Sequence, residues 1–227
     1  MKKLFIIGNW KCNPFSFKKA EKLFSLLNKG IQKNKKIETV ICPPFVYLKA
    51  YNGKLNFSIG AQNCFYENKG SFTGEISPMM LKNLKCKYVI IGHSERRKIL
   101  NEKDLIINKK IKACLKENLT PILCVSKISQ LKNSLIGISN KSRVIVAYEP
   151  ISAIGTGKPF GFSKAQKINL KIKDLLGDRQ IILYGGSVDQ YNVADFIMKS
   201  GFRGVLVGGK SLSKDFVQIV NRVKSLA

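Results

Sequence analysis

Glu149 stands between a short apolar run and a glycine-rich segment, in the stretch Ala147 to Gly157, AYEPISAIGTG. Val144 to Ala147 is β-branched and apolar and reads as a strand buried on both faces, with Tyr148 and Glu149 at its carboxyl end. Pro150 stops the pattern. The residues that follow alternate glycine with small and apolar side chains, so the segment can hinge as a unit over a ligand and offer bare backbone N–H groups to an anion. A carboxylate beneath such a lid suits proton abstraction.

His93 is the only histidine and lies in IIGHSERR, after an apolar run and at the start of a predicted helix. A lone histidine is more often structural than catalytic, but this position reverses that reading. The partial positive charge of a helix N-terminus disfavours imidazolium, so the ring is expected to be neutral and to donate a hydrogen bond to a carbonyl oxygen. Lys11, in GNWK at the end of the first apolar run, would place a fixed positive charge near the same oxygen. If strand one did not end there, it would be one more surface lysine.

Three glycine clusters point to phosphate: Gly155 and Gly157; Gly185 and Gly186 before Ser187; and Gly208 and Gly209 ahead of a helical stripe. Each alone only punctuates a turn. Together, after strands six, seven and eight, they match the place where barrel enzymes hold phosphate through backbone N–H groups and a helix N-terminus. One motif competes. GVLVGGKS, Gly204 to Ser211, satisfies the P-loop pattern and would suggest nucleotide binding. In a P-loop the four variable residues form a loop after a strand, whereas Val205, Leu206 and Val207 themselves read as the strand, so the match is taken as accidental.

The elements that must position these groups are short apolar runs separated by lysine-rich amphipathic stretches. The runs are Leu4 to Ile7, Thr39 to Cys42, Phe57 to Ala61, Tyr88 to Ile91, Pro121 to Val125, Val144 to Tyr148, Gln180 to Tyr184 and Gly204 to Val207. Helical spacing recurs between them: Ile107, Ile111, Cys114 and Leu115 form one stripe, and Phe216, Ile219, Val220 and Val223 another. Eight strands alternating with helices predict a closed (β/α)8 barrel over residues 1–227 as one domain, with an open doubly wound sheet as the alternative. Polar and glycine residues gather just after the strands, where a barrel places its chemistry: Asn9 and Lys11, Gln62 and Asn63, His93 to Glu95, Glu149, Gly185 to Ser187, and Gly208 and Gly209. Twenty-three residues separate Cys124 from Tyr148, too few for a full helix with two relaxed loops, so the fifth crossover is predicted to be truncated.

With 44% hydrophobic residues, the chain can bury a large core. Polar Asn9 and Lys11 cut the first apolar stretch too short for a signal peptide or a membrane span, which predicts a cytoplasmic protein that does not engage membranes. Six scattered cysteines without a CxxC pair argue against a metal site or a disulfide framework and predict buried reduced thiols. A formal charge of +26 raises the question of nucleic acid. Yet six of the forty basic residues are arginine, and the lysines spread along the whole chain, which argues against specific nucleic-acid recognition. The field remains able to steer a small anion.

GNWK, GAQNC, GSFTGE, IIGHSERR, AYEPISAIGTG, YGGSV and LVGGKSL occur in order and at matching spacing, and by these seven motifs the chain resembles the triosephosphate isomerase family from end to end. The resemblance implies a cofactor-free, metal-free enzyme in which Glu149 shuttles a proton between C1 and C2 of dihydroxyacetone phosphate and glyceraldehyde 3-phosphate. It implies further that His93 and Asn9 polarise the carbonyl, Lys11 neutralises substrate charge and Glu95 supports the site. Phosphate would be held by Gly155, Ser187, Gly208 and Gly209. A homodimer is also implied, with the loop from Thr73 to Glu75 inserted beside Asn9 of the neighbour and Glu75 near the partner's Arg96. The chain departs from the family pattern at Ser152, where tryptophan is usual at the first lid hinge, at Pro159, and at Ser126 and Lys127, where glycine and glutamate are common. A serine cannot bury the face an indole would, so weaker lid closure is expected.

Overall fold

The apolar runs form eight strands: β1 (Leu4–Asn9), β2 (Ile37–Cys42), β3 (Ser58–Ala61), β4 (Tyr88–Ile91), β5 (Thr120–Val125), β6 (Ile145–Tyr148), β7 (Ile182–Tyr184) and β8 (Gly204–Val207). In the computed structural model, which describes residues 3–50, 53–153 and 155–226, every pairing between neighbours is parallel and β8 returns to β1, closing the barrel. The open-sheet alternative is thereby removed.

Strand alternation splits the core into two layers. Phe5, Ile7, Val40, Cys42, Ile90, Ile122 and Leu206 point into the barrel and fill it. Ile6, Ile41, Val89, Leu123 and Val205 point outward and are covered by helices. Both faces are dry, which is why the strands read as continuous apolar runs instead of alternating ones.

The helices are α1 (Phe17–Gly30), α2 (Pro78–Asn83), α3 (Ser94–Ile99), α4 (Asp104–Lys116), α5 (Ile128–Ser134), α6 (Phe162–Leu176), α7 (Val193–Met198) and α8 (Lys214–Lys224). Both predicted stripes face the barrel: Ile107, Ile111 and Cys114 of α4 are buried with Leu115 packed beside them, and all four residues of the α8 stripe are buried. The fifth crossover is short, as expected, with seven helical residues in α5 and one 3-10 turn at Lys141–Arg143. The second crossover is shorter still in structure, since among its described residues the only helical piece is the 3-10 turn Phe45–Tyr47.

Two details differ from the sequence reading. β7 begins at Ile182, because the side chain of the buried Gln180 donates to the Val144 carbonyl and uses the residue as a brace instead of a rung. Among the cysteines, all of them free, Cys12 is exposed, since the chain leaves the barrel immediately after β1. The other five are buried.

Closure rests on Gly204. It has φ +144°, and a Cβ there would lie 1.8 Å from the Phe5 carbonyl oxygen across the β8–β1 seam. Gly204→Ala is expected to lower unfolding stability by about 3 kcal/mol or more, since both backbone strain and a clash with immovable backbone contribute. Gly161→Ala is the control: it has no neighbour within 4 Å of the added methyl and should change urea-melt stability little.

Candidate active site

The carboxyl ends of the strands surround a cleft of about 330 Å³ lined by Asn9, Lys11, His93, Glu149, Gly155 and Gly157, together with Gly185 to Asp189 and Leu206 to Lys210. Its floor is Glu149. The backbone ladder continues past β6, with Glu149 N donating to Val125 O at 2.8 Å, and this aims the side chain inward. Although 3% exposed, the carboxylate has partners: Oε1 lies 3.1 Å from His93 Nε2, and Oε2 accepts from Ser94 N at 3.2 Å. Gly185 gives it room, since a Cβ there would come within 2.9 Å of Glu149 Cγ.

His93 caps the N-terminus of α3, where its Nδ1 accepts from Glu95 N at 3.3 Å. That bond leaves the ring proton on Nε2, facing Glu149 and the cleft. Burial lowers the His93 pKa, but Glu149 and then Glu95 raise it more, against an opposing contribution from Lys11, and the net direction is upward. The helix end alone predicted the opposite direction, and the carboxylate at 3.1 Å explains the difference. If Glu149 moved away from the ring, burial and Lys11 would again favour the neutral form.

Lys11 adopts a left-handed conformation, φ 53°, directly after β1. Its backbone is braced on both sides, with N donating to Asn9 Oδ1 at 3.0 Å and O accepting from Gln62 Nε2 at 2.8 Å. Its ammonium reaches Glu95 Oε1 at 2.5 Å. The lysine stem also runs beside Gly208, where an added Cβ would lie 3.4 Å from Lys11 Cε. Asn9 is buried, and its carbonyl accepts from Ser211 Oγ at 3.2 Å, which ties β1 to the turn after β8.

The glycine clusters meet above this floor. Gly155 and Gly157 are exposed and left-handed, φ 70° and 71°; Ile154 of the same motif lies outside the described residues. Both ends of the lid are tied to β7 or the segment just after it. Ser187 Oγ donates to Ala153 O at 2.7 Å, and Phe160 N donates to the Tyr184 hydroxyl at 2.9 Å. Burial pushes the Tyr184 pKa up to about 12, so the hydroxyl stays neutral. Ser152 and Pro159 are exposed, and Ser126 and Lys127 begin the short α5 crossover, where Ser126 N donates to Gln130 Oε1.

Thr73, Gly74 and Glu75 project into solvent, away from the cleft floor. Arg96 Nε lies 3.4 Å from Glu102 within its own chain. Reading the sequence missed Ser94 N, Tyr184, Asp189 and Lys210 as members of this region. A backbone N–H carries no residue signature, and Lys210 stood out only within the P-loop pattern. That pattern fails structurally, since Gly204–Val207 is strand β8 and Lys210 lies on the 3-10 turn Gly209–Leu212.

A closed parallel barrel whose carboxyl mouth joins a buried carboxylate, an imidazole, a lysine and three glycine loops has the layout of a barrel enzyme with its site at the strand ends. The family described as triosephosphate isomerase matches residues 4–223, and the chain belongs to that family. Among curated relatives it is 42% identical over 245 residues to a triosephosphate isomerase of Dehalococcoides mccartyi, covering 96% of each chain. Against one from Clostridium perfringens it is 42% identical over 250 residues, covering 97% of this chain and all of the relative. One from Finegoldia magna is 41% identical, with 97% and 99% covered. These alignments run longer than the 227 residues of this chain, so the relatives carry residues that this chain lacks.

The contact between Glu149 and His93 gives a direct test by NMR. Because there is one histidine, its imidazole signals need no assignment. Glu149→Gln keeps a hydrogen-bond acceptor but removes the charge that raises the ring pKa, so the His93 titration should move to lower pH than in the wild type. An unmoved or rising titration would refute the electrostatic account.

Proposed function

We propose that the chain interconverts dihydroxyacetone phosphate and D-glyceraldehyde 3-phosphate by proton transfer through an enediolate, as an enzyme of glycolysis and gluconeogenesis in the cytoplasm. The observation that carries this reading is the Glu149 carboxylate, buried against His93 Nε2 at the base of a cleft rimmed by three glycine loops. Family membership supports it, as do the names of the relatives. Among the described residues no helix is long and apolar enough to cross a membrane.

In this reading Glu149 takes a proton from one substrate carbon and returns it to the adjacent one. His93 Nε2–H and the Asn9 amide donate to the carbonyl oxygen as it gains negative charge. Glu95 holds Lys11 at 2.5 Å and fixes the His93 ring through its backbone N–H, so both donors keep their direction without touching substrate through Glu95 itself. Gly155, Ser187, Gly208 and Gly209 hold the phosphate. To reach substrate, Glu149 must leave Ser94 N and His93, which requires a rearrangement at lid closure. All of this is acid–base chemistry by side chains and needs no cofactor or metal. Nor does the reaction call for specific nucleic-acid binding.

We also propose a homodimer, with Thr73, Glu75 and Arg96 at its interface. Phe15, Val46 and Ile99 are 82%, 75% and 74% exposed, and with Phe72 and Leu100 they fall in the segments that follow four successive strands, β1 to β4. Exposed apolar side chains on successive segments of the barrel are what a partner would cover.

In a coupled assay, the purified protein should interconvert the two triose phosphates, and Glu149→Ala should lower kcat by about a thousandfold with the fold retained. Full activity in that variant would sink the assignment. For the dimer, sedimentation over a dilution series should show dissociation and loss of specific activity together. A fully active monomer would end that part of the proposal.

A further inference from the structure

The lysine that completes the false P-loop has a role in the cleft. Lys210 follows Gly208 and Gly209 directly, lines the same cavity as Glu149 and Lys11, and places Nζ 2.8 Å from Asp215 Oδ2. Asp215 is fixed in the first turn of α8 by its N–H donating to Ser213 Oγ at 3.1 Å. Asp189 lines the cavity from the other side, its carboxylate accepting from the backbone N–H groups of Tyr191 and Asn192, both at 2.9 Å. The hydrogen bond and charge of Asp215 raise the Lys210 pKa, and Asp189 adds to that pull.

Counting charge where a ligand would sit changes the picture given by the whole chain. The charged residues lining the cavity are Lys11, Lys210, Glu149 and Asp189, two of each sign, with Glu95 and Asp215 adding negative charge at its edge, which outweighs Lys11 even with His93 protonated. Lys11 is already engaged by Glu95, and two carboxylates, Asp189 and Asp215, flank the glycine turns. An incoming phosphate monoester is a dianion. Without Lys210 it would meet a net negative mouth.

We propose that Lys210 is a specificity-determining residue that neutralises Asp215 and Asp189 beside the phosphate loops and so admits a dianionic phosphate. This rests on the phosphate role given above to Gly208, Gly209 and Ser187. In the free protein the ammonium is parked on Asp215, and a bound dianion draws it toward the Gly208–Gly209 turn, four bonds of flexible stem giving it the reach. Because both partners are exposed, the resting ion pair stabilises the fold little, and its effect falls on ligand binding.

The test measures binding of inorganic phosphate by calorimetry to wild type, Lys210→Ala, Asp215→Asn and the double variant, at low and high salt. Lys210→Ala should raise the phosphate Kd about fivefold at low salt, the scale of one unit charge at contact range in water. Adding Asp215→Asn should recover about half of that loss, and high salt should narrow the differences. For the triose phosphates, KM should rise in parallel with Kd while kcat changes less, and thermal midpoints should stay close to wild type. Should Lys210→Ala fold poorly, Lys210→Gln keeps the stem and removes the charge. An unchanged Kd on losing the charge, or no recovery from Asp215→Asn, would overturn the proposal. Phosphate binding is read without turnover, so a wild type that binds phosphate yet isomerises nothing would defeat the proposed reaction and leave this inference standing.

Discussion

The contact between Gly204 and Phe5 is the constraint on which the site depends. Phe5 N donates to Arg203 O at 2.9 Å, and Gly204 pairs with Phe5 in the β8–β1 register, so the last strand docks on the first with backbone nearly touching backbone. Only a residue without Cβ allows that approach. Once β8 is seated, the end of the chain meets its beginning: Ser211 hydrogen-bonds Asn9, and Gly208 packs on the Lys11 stem. A sheet left open at this seam would keep Glu149 and His93 but separate Lys11 from the glycine turn that follows β8. Closure, not local sequence, is what makes one cleft from eight strand ends.

Within that cleft one exposed carboxylate organises two other groups. Glu95 binds the Lys11 ammonium with its side chain and orients His93 with its backbone N–H. Glu149 is the opposite case, a buried carboxylate satisfied by groups it would give up in the proposed reaction. Each hydrogen bond to a charged group contributes about 1.5–3 kcal/mol, so moving it is feasible only when new donors or a proton replace Ser94 N and His93 Nε2. The lid is tied to the same cleft. Its first hinge is held by the hydroxyl of Ser187, which lines the cavity, and its second by Tyr184 at the end of β7. In the proposed reading, a phosphate that took the Ser187 hydroxyl would release Ala153, so ligand binding and lid movement would compete for one hydrogen bond.

Much of this was legible in the sequence because parallel strands buried on both faces produce unbroken apolar runs, and α8 shows its stripe in Phe216, Ile219, Val220 and Val223. Barrel closure was legible only through the count of strands, since periodicity does not record which strand pairs with which. The bare 3-10 turn of the second crossover escaped notice because Phe45, Val46 and Tyr47 look like any apolar segment, whether or not a helix forms. The placement of Asn9, Lys11, His93 and Glu149 followed from their positions after strands. The contacts that join them across the barrel did not follow, because those partners lie 50 or more residues away, as with Ser94 and Glu149. The upward shift of His93 belongs to this group: helix geometry is local and readable, whereas the carboxylate that outweighs it arrives from another strand.

Lys210 shows the same limit from the side of charge. A formal +26 suggests that any anion is welcome anywhere on this molecule. At physiological ionic strength, however, charges are screened over about 8 Å, so lysines on the far helices contribute little at the mouth. What an entering dianion meets is set by Lys11, Lys210, Glu149 and Asp189 together with the nearby Asp215 and Glu95, where positive and negative groups alternate. The carboxylates cannot simply be discarded: Glu95 orients His93 and Lys11, Asp189 closes the turn after β7, and Asp215 sits at the positive end of α8. Each has a structural or positioning task that places negative charge beside the loops proposed to hold phosphate. A lysine at the glycine turn after β8 is therefore the least disruptive way to restore balance, because it leaves the turn, the helix cap and the strand order as they are.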